Sequence, residues 1–219
     1  MDFSHIRALI FDLDGTLIDS ERDLVESTNA TLRHLGRPEL PVATVSGYIG
    51  HGAAKLVARA LGPGADGQLR ERALQFFLRY YEEHKLVHTR AYAGVPEALQ
   101  TLSHMPMAVL TNKPERISTL ILEELGIAKY FRAIYGGDSL SAKKPDPTGV
   151  EKILEQFGVL PRNALFIGDS EVDVQTARNA GMPVAIVNYG FGMNDRLAFP
   201  ADVYIDSFGD LVSLLHGHG

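Results

Sequence analysis

Cysteine is absent from the 219 residues, which excludes disulfides, thiolate metal ligands and a cysteine nucleophile outright. An excess of positive charge is absent too: Lys and Arg number 21 against 27 Asp and Glu, a formal net charge of −6 that argues against a basic nucleic-acid footprint. Anionic substrates stay open, because local charges and metal ions set the field within a site. No apolar run approaches the roughly 20 residues of a membrane-spanning helix. The opening Met-Asp-Phe-Ser-His-Ile-Arg lacks the basic and then apolar order of a signal peptide. The expectation is a cytoplasmic chain with neither nucleic acid nor membrane as partner. What is present, 45% hydrophobic and 22% charged residues, is the make-up of a globular protein long enough for one large domain or a core with a smaller insert.

The chain is organised around Ala8 to Leu17, Ala-Leu-Ile-Phe-Asp-Leu-Asp-Gly-Thr-Leu, where an apolar run stops on two acids one residue apart. Ala8 to Phe11, short, continuous and apolar, reads as a strand buried on both faces. Asp12 stands at its carboxyl end, the edge at which open α/β sheets bind ligands. Asp14 can point the same way, Gly15 permits a sharp turn and Thr16 offers a hydroxyl to fix the loop.

Ser20 to Leu35 reads as a helix with Ser20 or Asp19 as its cap, stopped by Gly36 and Pro38. Helical patterns continue through about Val42 to Ile49, Ala53 to Leu61 and Gln68 to Lys85, without a strand pattern. Some seventy residues of helix exceed a simple crossover, so residues 17–88 read as a small all-helical insert. From Tyr92 strands alternate with helices, the signature of a parallel sheet. Helices are expected from about Val95, Pro114, Gly149, Val172 and Phe208. Strands are expected at Met107–Leu110, Phe131–Tyr135, Ala164–Ile167, Pro183–Val187 and Val203–Ile205. The fold class is α/β, a Rossmann-like parallel sheet with helices on both faces, residues 1–16 and 89–219 forming the core.

Three buried runs deliver a polar residue at the carboxyl end: Asp12, Thr111 and Asp169. Right-handed crossovers bring those ends to one edge. Asp12, Asp14 and Asp169 would crowd carboxylates into one crevice, which a hard cation must neutralise. Mg²⁺ suits two carboxylates, a backbone carbonyl near Asp14 and a phosphate oxygen, and Mn²⁺ would suit the same site. Asp12 is then a credible nucleophile on phosphorus and Asp14 an acid and base for the leaving alcohol and the hydrolytic water. Thr111, backbone N–H groups at Asn112 and the Lys144 ammonium would bind the phosphoryl oxygens, with Lys143 as the alternative lysine. Asp173, one helical turn past Asp169, can hold Lys144 or a metal-bound water. Singly, Thr111 reads as a helix cap, Lys144 as a solvated loop lysine, and Asp169 and Asp173 as acids at a helix start. Together, in order and at strand ends, they read as one site.

The segments Asp12-Leu-Asp14-Gly-Thr, Thr111-Asn-Lys, Lys144-Pro and Gly168-Asp169-Ser-Glu-Val-Asp173 resemble the four signatures of haloacid dehalogenase superfamily phosphatases. The resemblance spans essentially the whole chain and implies Asp12 as nucleophile, Asp14 as acid and base, and Asp169 as a magnesium ligand. It identifies the helical insert with the superfamily's cap domain, and the second acid of the first signature favours phosphoryl transfer over dehalogenation. Tyr48-Ile-Gly-His-Gly-Ala-Ala-Lys-Leu-Val, Tyr92-Ala-Gly-Val-Pro, Gly136-Gly-Asp-Ser-Leu and Asn188-Tyr-Gly are similar to phosphoglycolate phosphatases. Where relatives often carry an Arg ahead of the cap glycines, this chain has Thr44.

Gly50 and Gly52 around His51 would let a cap loop approach the substrate and bind a small carboxylate through backbone N–H groups, with His51, Lys55 and Arg59 as candidate side-chain readers and a surface location as the alternative for Lys55 and Arg59. The expectation is a Mg²⁺-dependent monoesterase acting on 2-phosphoglycolate through an aspartyl-phosphate, as a monomer or homodimer. Another small phosphate, a sugar phosphomutase and a non-catalytic binding module are the alternatives. Met105, Met107, Phe76, Phe77, Tyr80 and Tyr81 read as packing, and the Gly/His tail carrying His216 and His218 as unstructured.

Overall fold

A computed structural model describes residues 3–192 and 197–216. Six parallel strands form the central sheet: β1 (Ala8–Phe11), β4 (Met107–Leu110), β5 (Ala133–Tyr135), β6 (Ala164–Gly168), β7 (Val184–Val187) and β8 (Val203–Ile205). Their order is β5-β4-β1-β6-β7-β8, with Leu9 opposite Met107 on one side and Leu165 on the other. The chain leaves β1 to build one half of the sheet and returns across it to build the other. The carboxyl end of β1 is therefore a topological switch point, where the crossovers diverge and open a crevice.

Side-chain alternation divides the core. Leu9, Phe11, Val109 and Ile167 face the side covered by α5 (Val95–Thr101), α6 (Glu115–Glu124) and α9 (Phe208–His216). Ile10, Ala108, Phe166 and Ile186 face α7 (Thr148–Phe157) and α8 (Glu171–Asn179). Met107 is buried with the first set and Met105 packs on it half-buried. Both faces being covered explains why the strands read as continuous apolar runs.

Between β1 and β4 lie α1 (Glu21–His34), α2 (Val42–Ser46), α3 (Ala53–Leu61) and α4 (Gly67–His84), with α1 and α3 packed on α4. Phe77 and Tyr81 are buried, while half-buried Phe76 and Tyr80 continue a ring stack between His34 and His84. One expectation fails here. Ile18–Asp19 forms a strand, β2, antiparallel to β3 (Arg90–Ala91), where the chain leaves for the helices and returns. Two residues cannot show a strand period, so the ribbon left no pattern. The buried Asp23 carboxylate of α1 braces the returning segment, accepting from the N–H groups of His88 and Thr89 and from the Thr89 hydroxyl.

Three smaller readings are corrected. The second helix stops at Ser46, because i to i+3 bonds to Tyr48 and Ile49 tighten the chain into turns. The strand expected from Phe131 starts at Ala133, after a 3-10 turn at Ala128–Tyr130. Ser20 occupies the position before α1 but makes no capping bond, its hydroxyl being directed to Asp14. Among the described residues no helix is long and apolar enough to cross a membrane. His216 ends α9, and residues 217–219, including His218, lie outside the described residues.

Candidate active site

The crevice at the switch point collects the predicted core residues. Asp12 follows β1 and is buried; its Oδ1 accepts from the Leu13 N–H at 2.7 Å and from Lys144 Nζ at 2.9 Å. Lys144 reaches onward to Asp173 Oδ1 at 2.6 Å and is itself buried. The two lysines left open by the sequence separate here: Lys144 carries the ion pairs, whereas Lys143 Nζ lies near Gly52 of the cap loop.

Asp169 ends β6 and packs against the first loop. A Cβ on Gly15, whose φ is +80°, would sit 2.2 Å from Asp169 Oδ2, so only glycine admits this approach. That oxygen accepts from the Phe191 N–H at 2.9 Å. Asp173 Oδ2 receives the N–H groups of Asp169 and Ser170 and the Ser170 hydroxyl, closing a capping box at the start of α8. Asp173 is thus a positioning residue: one oxygen orients Lys144 and the other fixes the loop that presents Asp169.

Carboxylate oxygens of Asp12, Asp169 and Asp173 lie within 4.8 Å of one another. Burial is the chief reason the Asp12 carboxyl is pushed up to about 6, with Lys144 pulling it down and Asp173 raising it further. Burial, then the charges of Asp173 and Asp12, pushes Asp169 well above the usual carboxylate range. Three carboxylates against the one Lys144 ammonium leave an excess of negative charge that a divalent cation with oxygen ligands would neutralise. With Asp173 fully engaged, the residues fitting such a cation are Asp12 and Asp169.

The Asp14 side chain is held apart from the Asp12–Asp169 pair, consistent with an expected ligand set that takes a backbone carbonyl near Asp14. Its Oδ1 accepts from the Ser20 hydroxyl at 2.5 Å and from Lys113 Nζ at 2.7 Å, so its side chain is drawn into a different set of contacts and its backbone carbonyl remains for an ion. Lys113, unassigned from the sequence, is buried and lies 4.6 Å from the centre of the Tyr81 ring on α4. A lysine on a loop after Thr111-Asn reads as solvated; the only signal was adjacency to that segment. Thr111 is buried and accepts from the Lys113 N–H, which turns the loop.

The helical layer closes on this crevice. Asn112 Nδ2 donates to the carbonyls of Gly50 at 3.0 Å and Lys144 at 3.1 Å, so the predicted substrate-side residue joins the cap loop to the core through its side chain. A Cβ on Gly52 would lie 2.9 Å from the Asn112 carbonyl. Asp12, Asp14, Thr111, Asn112 and Lys113 share a cavity of about 40 Å³ with Gly50, Gly52 and Tyr81. A wider space of about 710 Å³ opens on the other side of Asp14, between Asp169, Glu171 and Phe191 and the cap residues Ser46, Gly47, His51 and Arg59. His51 therefore faces the wide space, and burial, then Arg59 and Lys55, lower its pKa. Lys55 does not join the site: it is exposed and lines a separate surface hollow with Arg70, because α3 buries Leu56 and Val57 instead.

The geometry combines a buried acid at the end of β1, its lysine, a second strand-end acid and a threonine loop under a helical layer. The sequence profile of the haloacid dehalogenase-like hydrolases matches residues 9–187. The chain belongs to that family. A phosphoglycolate phosphatase of Chromobacterium violaceum is 38% identical over 221 residues, covering 98% of this chain and 99% of its own. Another, from Nitrosospira multiformis, is 39% identical over 217 residues and 96% of each chain. The crystal structure of a predicted phosphoglycolate phosphatase from Haemophilus somnus superposes with a TM-score of 0.90 at 32% identity, covering 96% of this chain and 98% of that one. As a haloacid dehalogenase-like hydrolase, the protein is an enzyme, and its named relatives are phosphatases.

Proposed function

We propose that the chain is a phosphoglycolate phosphatase, hydrolysing 2-phosphoglycolate to glycolate and phosphate. The observation that carries the chemistry is the buried Asp12 carboxylate, held by Lys144 in the crevice it shares with Thr111 and Asp14. Near-complete similarity to phosphoglycolate phosphatases at 38–39% identity supports the substrate.

In this reading Asp12 attacks phosphorus and the ester bond to the leaving oxygen breaks, giving an aspartyl-phosphate. Asp14 gives a proton to that oxygen and then takes one from the water that hydrolyses the intermediate. Thr111 and the Lys144 ammonium receive the phosphoryl oxygens, and Asp173 keeps Lys144 aimed. Asp12 and Asp169, with the Asp14 backbone carbonyl, would hold Mg²⁺, and Mn²⁺ would fit the same oxygens. The ion would offset repulsion between the acids and a phosphate dianion. Residues 1–16 and 89–219 act as the core and 17–88 as the cap, closing about the β2–β3 ribbon to exclude water. We place the enzyme in the cytoplasm, as a monomer or homodimer acting on small phosphorylated substrates.

The test is phosphate release from a panel led by 2-phosphoglycolate, with EDTA and Asp12→Asn as controls. Strong preference for 2-phosphoglycolate, abolished by both controls, is expected. Release mainly from a larger sugar phosphate would instead assign the leaving group to the 710 Å³ space.

A further inference from the structure

Two buried side-chain polar atoms among the described residues have no hydrogen-bond partner, the Tyr81 hydroxyl and Asn112 Oδ1. Their residues border the same small cavity beside Asp12 and Asp14. An unpaired buried polar atom is destabilising, and its persistence next to reacting groups marks a place that a ligand completes. Asn112 Oδ1 is an acceptor and so cannot serve an anion. Tyr81 is only 1% exposed, and burial, then the charge of Asp14, pushes its pKa well above the usual value, so its O–H remains a donor at any working pH.

The surroundings decide what that donor meets. Leu24, Ile49, Leu56 and Phe77 make the neighbouring wall apolar, where a hydrogen bond is worth more than in water. The lysine lining this cavity is Lys113, whose Nζ lies by the Tyr81 ring and 2.7 Å from Asp14 Oδ1. A leaving-group oxygen served by Asp14 is therefore within a few ångströms of both the Lys113 ammonium and the tyrosine. Asp14, Lys113 and Tyr81 border one cavity with Lys113 Nζ against the tyrosine ring, so an anion carried one carbon from that oxygen can meet both.

We propose that Tyr81 of the cap and Lys113 of the core loop form the carboxylate-reading pair: the Tyr81 hydroxyl donates to the carboxylate of the leaving group while the Lys113 ammonium neutralises it. The assignment deepens the phosphoglycolate reading and rests on it. An uncharged leaving group of the same size leaves the hydroxyl unpaired and is discriminated against. Lys113, shared between Asp14 and the substrate, also keeps the two carboxylates from repelling each other.

Tyr81→Phe removes one oxygen that has no partner in the free protein, so the variant should fold with an undiminished melting temperature. Steady-state kinetics on 2-phosphoglycolate and on ethyl phosphate, which replaces the carboxylate by a methyl group, test the assignment. The expected result is a loss in kcat/KM of about 10- to 100-fold for 2-phosphoglycolate, the range of a hydrogen bond to a charged group. Ethyl phosphate should change by less than about threefold, so the ratio between the substrates collapses. A wild-type enzyme that prefers 2-phosphoglycolate, with a variant that loses both activities equally or neither, overturns the tyrosine assignment alone. A wild-type enzyme without that preference overturns the substrate reading and the pair together.

Discussion

The core crevice and the cap face that covers it are built by different means. In the crevice, charged side chains hold one another: Lys144 bridges Asp12 and Asp173, Asp173 fixes the backbone that carries Asp169, and Lys113 holds Asp14. Where the cap borders the small cavity it offers a glycine backbone, an apolar wall and the unpartnered Tyr81 hydroxyl. Chemistry at phosphorus needs fixed charges, and of these only Lys113 also faces the rest of the substrate in the proposed pair. The remaining choice of substrate falls to the cap surface, which can be remade without disturbing those charges.

Lys144→Ala strikes the core side hardest. It leaves Asp12 and Asp173 buried without their cation, and urea unfolding should show a loss of about 3–5 kcal/mol along with loss of phosphatase activity. Retention of full stability would mean that the ion pairs are not what holds the crevice.

Divalent cation acts on the same charges in the opposite sense. Without metal, the folded protein keeps the Asp12 proton up to about pH 6, whereas the unfolded chain loses it near the ordinary 3.8. The folded state thus binds the extra proton, and this group's contribution to stability falls as pH rises from about 4 through 6. A cation held by Asp12 and Asp169 would replace that proton. Mg²⁺ at about 100-fold over its Kd should raise the melting temperature at pH 7 by roughly 5–10 °C, and by much less at pH 4.5. An equal shift at both values would place the ion elsewhere.

Gly52→Ala probes the cap side. With φ at +87° and the Asn112 carbonyl 2.9 Å from the added carbon, the loop cannot seat as closely, and KM should rise about tenfold with a fall in melting temperature of roughly 2–8 °C from the backbone strain. Lys55→Ala should alter neither KM nor stability beyond about 0.5 kcal/mol, since the side chain is exposed and outside the site. A tenfold change from Lys55 would show that α3 turns a different face to the substrate.

The same contrast governs what could be read before the structure. Asp12, Thr111 and Asp169 were legible because each ends a buried apolar run, and a parallel sheet gathers such ends at one edge. Asp173 was legible from helical spacing, whereas the proline loop offered both Lys143 and Lys144 and only the family resemblance pointed to Lys144. Lys113 was not, because nothing in its neighbours tells a buried loop lysine from a solvated one. Tyr81 was read as packing on its helical spacing with Phe77. That is true of the ring and silent about the hydroxyl. The partners of the Asp14 side chain, Ser20 and Lys113, come from two other segments and leave no mark in the sequence around it. Lys55 was placed beside the glycine loop by sequence distance, yet α3 turns it outward. Core positions announce themselves through strand ends; cap positions depend on which way a helix faces.

The most direct test of a covalent role for Asp12 is acid quenching of the enzyme during turnover of radiolabelled 2-phosphoglycolate. Protein-bound phosphate that hydroxylamine releases is expected, mapped to the peptide containing Asp12 and absent from Asp12→Asn. Phosphate release that persists in Asp12→Asn, or label that remains when Asp12 is replaced, would contradict it.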